Sequence, residues 1–367
     1  MAHVTSGRSD WVYCAVARFC ARTDELSNLA EGISMSSKHL FLVAAAFAAP
    51  LIACGGSSDS EEPMIVPKGD HHTYVVSHAF VPTTTDQAQS YGLDLGTKTS
   101  SKKLDGSVDN GLGLFLSLVQ GILMQNGGTP QIDIQASVNK AVDQGTVNLL
   151  IDFQTEDFTT SDAAGFSVKL GASSSPPACT DATDTACRHQ LDGNATFTLA
   201  ANSPTDALVA GKIVSGSFVG GPGDVSVSIS FGGTPVTLDL LHARVRASGI
   251  SDTGITSAII GGMIVQKQLL QQIAPVVLPL AQDYLATNCT APNPTPPTCG
   301  CTTMAGKTLI TLVGADGDCA VTADGIANSA ELSALVGVDV CSTDSCSTAD
   351  AVSLGIKVDA VKATIAQ

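Results

Sequence analysis

Cysteine is the residue type of this chain with the greatest capacity for covalent chemistry. The sequence contains eleven cysteines, of which Cys14 and Cys20 lie near the N-terminus and Cys54 follows an apolar run. The other eight are Cys179, Cys187, Cys289, Cys299, Cys301, Cys319, Cys341 and Cys346. An even number of cysteines predicts a set of disulfides if the chain folds in an oxidising compartment.

The spacing of these eight cysteines predicts two local disulfides. Cys179 and Cys187 bracket a short polar loop, and Cys341 and Cys346 bracket another. The partners of the other four cysteines stay open. Zinc is the rival interpretation, but Cys299-Gly300-Cys301 lacks the usual two-residue spacing and no nearby histidine completes a tetrahedral site.

A second group with ligand chemistry is formed by Asp316, Asp318 and Asp324. The stretch around them resembles the calcium loops of EF-hand and dockerin proteins, in which oxygen ligands recur at alternate positions. Aligned on that pattern, the first and twelfth positions are Gly314 and Gly325, which offer no carboxylate. The sequence therefore favours a mainly structural turn, with Ca²⁺ bound no tighter than about millimolar.

The N-terminal region carries a pattern of export. Lys38 and His39 precede the apolar run Leu40 to Ala49, which is followed by Leu51-Ile52-Ala53-Cys54-Gly55-Gly56. The run is too short for a membrane-spanning helix, which needs about twenty residues. This order of segments resembles the signal peptide and lipobox of bacterial lipoproteins.

The resemblance implies how the N-terminal region would be processed and where the chain would be sent. A signal peptidase would cut before Cys54, whose thiol would carry a diacylglycerol, so that the lipid bilayer is the expected partner. Gly55 in place of aspartate would direct a Gram-negative lipoprotein to the outer membrane, facing the periplasm or the cell surface. The residues before the signal are expected to reflect a start codon assigned too early, with a cytoplasmic extension as the alternative.

Composition narrows the range of partners. Acidic residues outnumber lysine and arginine by 34 to 18, giving a net charge of −16. Nucleic acid is excluded as the expected partner because basic residues drive phosphate binding. Aromatic residues make up only 4% of the chain, and small and β-branched residues favour β structure.

Alternation of apolar and polar residues indicates antiparallel strands. Val225, Val227 and Ile229 alternate with Ser226 and Ser228, so one face should be buried and the other wet. We predict an α+β fold, mainly antiparallel β, arranged as a β-sandwich or an open sheet with flanking helices. In the strand that follows, the apolar phase slips near Leu240-Leu241, which predicts a β-bulge.

The expected organisation follows from these segments. The predicted units are 1–34, a mis-assigned N-terminal extension; 35–53, the signal peptide; 54–72, a flexible acidic tether; 73–288, a β-rich main domain with helices near 109–144 and 258–286; and 289–367, a disulfide-rich C-terminal part with the degenerate calcium-type loop and a terminal strand.

No catalytic motif identifies an enzyme. The sequence has no His-Glu-x-x-His, no Gly-x-Ser-x-Gly and no phosphate-binding glycine loop. His242, Arg244 and Arg246 share one strand face, where we expect cross-strand pairing with aspartates, an anion site being the alternative. The function expected is non-enzymatic binding or scaffolding, with a protein or glycan partner. A calcium-dependent adhesion or carbohydrate-binding module and an exported hydrolase are the alternatives.

Overall fold

The computed structural model describes residues 64–96, 108–125, 133–231, 234–294, 297–301, 304–313, 319–343 and 346–366. Cys54, Asp316 and Asp318 lie outside the described residues. The strands are β1 (Asp70–Phe80), β2 (Asn148–Thr155), β3 (Ser161–Ser175), β4 (Thr196–Leu199), β5 (Val209–Val214), β6 (Ser217–Phe231), β7 (Thr234–Ser251), β8 (Gly254–Val265), β9 (Cys289–Pro294), β10 (Pro297–Cys301), β11 (Ala351–Lys362) and β12 (Thr364–Ile365). The helices are α1 (Thr85–Ser90), α2 (Gly111–Gln125), α3 (Ile134–Asp143), α4 (Gln266–Asn288), α5 (Met304–Val313), α6 (Ala323–Ala327) and α7 (Ala330–Val336).

Eight of the strands close into an antiparallel barrel. Their order around the ring is β1-β2-β3-β5-β6-β7-β8-β11, and β11 pairs with β1 again. The expected sandwich or open sheet with flanking helices is therefore wrong. Closure depends on β5 pairing with both β3 and β6. Alternation along the sequence could not reveal this, because a strand with one buried face suits a sandwich, an open sheet or a barrel equally.

Aromatic side chains fill the barrel interior. Phe153, Phe166 and Phe218 are fully buried, and their ring centroids lie 5.3 to 6.2 Å apart. Small barrels are closed by such side-chain packing instead of enclosing a channel. The large buried rings make the barrel a packed core from which the loops and helices project.

Helix α3 covers one end of this barrel. It packs against both β1 and β6. These two strands are four positions apart in a ring of eight, so they lie on opposite sides. A helix that contacts both must cross the barrel end. Its N-cap is Asp133, whose side chain accepts a hydrogen bond from the Ala136 backbone N–H.

A chain segment crosses the outer wall of the barrel over a row of glycines. A Cβ on Gly355 of β11 would lie 2.1 Å from the carbonyl oxygen of Tyr91, and one on Gly261 of β8 would lie 3.3 Å from the Leu93 side chain. Gly261 and Gly355 face each other in the ladder. The absence of side chains at both positions therefore lets residues 91–96 lie directly on the strands.

Asn110 holds α1, which leads into this crossing segment, and the start of α2 against β11. Its Nδ2 donates to the carbonyls of Ala88 at 3.0 Å and Gly355 at 3.2 Å. Its Oδ1 accepts from the backbone N–H groups of Gly113 at 3.1 Å and Gly355 at 2.9 Å. The side chain is fully buried, and all of these groups would be costly to leave unpaired.

Two buried carboxyl groups flank this asparagine. Asp109 accepts from the Leu95 N–H at 2.9 Å, while Asp339 accepts from the backbone N–H and the hydroxyl of Ser353. Burial raises the pKa of Asp339, and the nearby Asp109 carboxylate raises it further, against the lowering effect of the Ser353 hydrogen bonds. The Oδ1 atom of Asp109 has no hydrogen-bond partner among the described residues.

Of the two features predicted around β7 and β8, a bulge and a helix, the structure has the bulge where it was expected but not the start of the helix. The predicted bulge is confirmed, because the register of β7 shifts between Leu241 and Arg244 and His242 adopts a φ of 49°. The predicted helix over 258–286 is wrong in its first part, where β8 continues to Val265. Ile260 packs in the main core and Met263 in a separate outer cluster, so β8 is covered on both faces. Such a strand has a continuous apolar run that resembles a helical stripe.

The C-terminal residues contribute to the barrel and to a smaller core. β11 lies between β1 and β8, as expected of a terminal strand that completes a sheet. Apolar residues of α4 pack with Ile310, Val321 and Ile326 in a second cluster. The first strand begins at Asp70, so the last residues of the expected tether belong to the sheet.

Candidate binding groove

The strand β6 has one edge that is paired over only part of its length. It pairs with β7 from Ser217 to Phe231, whereas its pairing with β5 ends at Gly220. Beyond that point, no strand in the described part of the chain pairs with the second edge. An unpaired edge presents main-chain donors and acceptors that another strand can use.

The register identifies the groups on that free edge. Ser230 pairs with Pro235, which has no N–H, so this is a non-hydrogen-bonded pair of the antiparallel ladder. Pairs alternate along the ladder, so Ser226 and Ser228 occupy the same class of position. Their backbone N–H and C=O groups therefore point away from β7, towards the free edge.

A shallow groove of about 380 Å³ lies beside the first part of this edge. It is lined by a loop on one side and by β6 and β7 on the other: Pro204, Thr205, Asp206, Ala207, Asp224, Val225, Ser226, Asp239, Leu240 and Leu241. The groove is open to solvent and does not enclose a cavity, which suits a segment lying on the surface better than a compact ligand.

The loop wall of the groove is held on β3. Lys169 Nζ donates to the carbonyls of Pro204 and Thr205, at 3.1 Å each. The Leu170 N–H donates to Ser203 Oγ at 2.9 Å. These bonds fix the loop on the barrel, so the groove does not depend on an ordering step when a partner binds.

Carboxylates dominate the electrostatics of the groove. Its described lining residues include Asp206, Asp224 and Asp239 and no lysine or arginine, while the Lys169 ammonium bonds to carbonyls of the loop wall. Asp239 accepts from the Ser226 hydroxyl at 2.6 Å, and Asp224 accepts from the His242 N–H at 3.3 Å. Asp206 is exposed. The groove therefore favours positively charged or donor-rich partners.

The cysteines form disulfides in the described residues. Cys179 is joined to Cys187, and Cys341 to Cys346, which are the two local pairs that the spacing indicates. Cys289 is joined to Cys301 across the β9–β10 hairpin. Cys319 is also disulfide-bonded. Cys299 lies in β10.

A single carboxylate organises the Cys179–Cys187 loop. Asp184 accepts from the backbone N–H groups of Thr180 and Cys187, each at 2.9 Å, and lies 3.0 Å from His189 Nε2. The backbone hydrogen bonds hold the pKa of Asp184 well below its ordinary range. None of the residues of this loop is among the described residues that line the groove.

The predicted calcium ligands can be followed only in part. Asp316 and Asp318 lie outside the described residues, so the weak Ca²⁺ site stays a prediction. Asp324 is exposed in the first turn of α6, a helix capped by the Thr322 side chain. Elsewhere in the described chain, no three His, Cys, Asp or Glu side chains are arranged to hold a metal ion.

The basic residues His242, Arg244 and Arg246 of β7 do not all pair as expected. Gly261 lies opposite Arg244, while Val219 and Ile259 lie opposite Arg246. The predicted direct cross-strand pairing with aspartates is therefore wrong for the two arginines. His242 does lie opposite an aspartate, Asp224, which accepts from its backbone N–H. The bulge changes which residues of the neighbouring strands face the arginines, and its register cannot be obtained from alternation alone.

The described residues place one serine next to a histidine. Ser77 Oγ and His78 Nδ1 are 3.4 Å apart, but the same hydroxyl lies 3.3 Å from the Asp359 carbonyl, to which it donates. Ser77 is buried and does not line the groove. The Ser77–His78 contact is therefore a local contact within β1 that lies outside the groove.

Sequence reasoning missed the groove residues. The strand Val225–Ile229 and its wet serine face were anticipated, and the buried valines agree with that pattern. Pro235 was the available signal, because a proline in a strand marks a ladder position without a hydrogen bond. The missing information was long-range, namely that β5 stops pairing before Val225 and that residues 204–207 lie alongside.

Comparisons of the chain with family models, with curated proteins and with solved structures give no match. None of the described helices is both long enough and apolar enough to cross a membrane.

Proposed function

We propose that this chain is an exported lipoprotein, anchored through Cys54 in the outer membrane, whose barrel is a non-enzymatic binding scaffold. The observation that carries the binding role is the free edge of β6 beside an acidic groove. The packed interior leaves the outer surface for recognition, and the fixed loop wall gives that surface a defined shape.

Two features support export to an oxidising compartment. The signal pattern before Cys54 has its segments in the order that lipoprotein export requires. The disulfides of the described chain are of the kind that persists outside the reducing cytoplasm. A lipid anchor would keep the acidic domain at the membrane without a spanning helix.

The anchor is tested by labelling cells with radioactive palmitate and fractionating them. The wild-type chain should carry label and sediment with the membranes, and Cys54→Ala should lose both properties. Cys14→Ala and Cys20→Ala are the matched controls and should behave as wild type. Equal labelling of the Cys54→Ala chain would contradict the anchor.

The binding role is tested on detergent-solubilised native protein. The wild-type chain should migrate as a complex larger than the chain alone. Ser228→Pro, which removes a main-chain donor on the free edge, should migrate alone. Identical migration of the two proteins would contradict a scaffold that uses β6.

A further inference from the structure

We infer that the groove beside β6 binds an extended polypeptide segment with lysine or arginine side chains, which adds to β6 as a further strand. The inference rests on the proposed binding role and specifies the chemical class of the partner.

Strand addition first needs unpaired main-chain donors and acceptors on β6. Ser226 and Ser228 direct their backbone N–H and C=O groups to the free edge, two residues apart. An extended peptide offers matching groups at the same spacing, which is the basis of recognition by strand addition. The segment Val225–Ile229 carries no charge and no proline, so nothing in it blocks such a strand.

The charge of the groove indicates the charge of the bound segment. Asp206, Asp224 and Asp239 line the groove, and none of its other described lining residues is charged. A basic segment would be attracted to them, whereas an acidic segment would be repelled. A second copy of this chain is a poor occupant for the same reason, because its net charge is −16.

Face alternation specifies where the basic residues should stand. Ser226 and Asp239 face outward on adjacent strands, directly opposite each other. Val225 and Val227 are buried on the inner face. A strand added beside β6 continues the same alternation, so its outward residues approach the carboxylates and its inward residues extend the apolar face. The expected partner therefore alternates basic and apolar residues.

The test measures fluorescence anisotropy with the full chain carrying Cys54→Ala, which keeps it free of lipid. The probe is a labelled peptide of about eight residues that alternates lysine and valine, within the ordinary length of a strand. One comparison peptide alternates glutamate and valine. Another has the lysine–valine sequence with N-methyl groups on alternate residues, which block edge hydrogen bonds. Both should bind at least about tenfold more weakly than the lysine–valine peptide.

Two pairs of variants locate the site. Ser228→Pro removes the edge donor and should weaken binding about tenfold, whereas Ser228→Ala keeps the main chain and should bind as wild type. Asp206→Asn should weaken binding about threefold and reduce its salt dependence, while the exposed Asp192→Asn away from the groove should not. Asp206 is exposed, so its substitution tests the site even if Ser228→Pro fails to fold.

Several outcomes would overturn the inference. Equal binding of the lysine and glutamate peptides, an unchanged affinity of both Ser228→Pro and Asp206→Asn, or self-association through β6 without peptide binding would each do so. If no lysine–valine binding occurs while the native complex still depends on Ser228, the partner class is wrong and the scaffold role stands.

Discussion

The side chain of Asn110 makes two hydrogen bonds to the backbone of Gly355, which lies 245 residues further along the chain. The same side chain bonds to Ala88 and to Gly113 at the start of α2. One buried amide thus joins helix α1, the first turn of α2 and a barrel strand. Few side chains could do this, because two donors and two acceptor positions are needed together.

Asn110→Ala should therefore lower the free energy of unfolding by about 3 to 5 kcal/mol, since it leaves several buried polar groups unpaired. Chemical denaturation measures this value. Asn139→Ala, at an exposed position of α3, is the control and should change it by less than about 0.5 kcal/mol. A similar effect of both substitutions would remove the central role assigned to Asn110.

Gly355 and Gly261 provide a graded test of the crossing segment. A Cβ on Gly355 would overlap the Tyr91 carbonyl oxygen, while one on Gly261 would meet a side chain that can shift slightly. Gly355→Ala should cost about 2 to 4 kcal/mol and Gly261→Ala less than about 1.5 kcal/mol. If thermal and chemical denaturation rank the two variants in the reverse order, residues 91–96 do not lie on the strands as described.

The buried Asp339 predicts an unusual pH dependence. Its pKa in the folded state is raised above its ordinary value of 3.8. Just above that value the folded protein retains a proton that the unfolded chain has lost, so this group makes the free energy of unfolding fall as pH rises. Asp339→Asn should flatten the dependence in this window, and exposed Asp192→Asn should not. An unchanged slope in Asp339→Asn would show that Asp339 titrates normally.

The Cys179–Cys187 disulfide should stabilise its loop measurably. Replacing both cysteines by serine should lower the free energy of unfolding by about 2 to 3 kcal/mol in the chain-entropy picture. The backbone amides at positions 180 and 187, which donate to Asp184, should then exchange faster with solvent, since the closed loop holds both donors in place. Non-reducing peptide mapping checks the pairing itself, and a free thiol at Cys187 would contradict it.

The sequence predicts individual strands of this protein better than their assembly. Alternation at Val225–Ile229 and the phase slip at Leu240-Leu241 correctly indicate a strand and a bulge. Closure into a barrel was missed because it depends on β5 pairing with two strands at once. The apolar run through Ile260 and Ile264 suggested a helix because this strand is covered on both faces.

The candidate groove was even less accessible to sequence reasoning. Asp206, Asp224 and Asp239 are separated along the chain and belong to a loop and two strands. Local patterns describe the faces of a strand but not which of its edges finds a neighbour. The hydrogen-bonding class of Ser228 also needed the register with Pro235, which is a property of the folded hairpin.

Amide hydrogen exchange at Ser226 and Ser228 tests the free edge most directly. In the protein alone these two amides should exchange much faster than those of Val225 and Val227, which bond to β7. Addition of the lysine–valine peptide should slow exchange at both serines and leave the valines unchanged. Strong protection of Ser228 in the dilute free protein, or no change on saturation with the peptide, would contradict strand addition at β6.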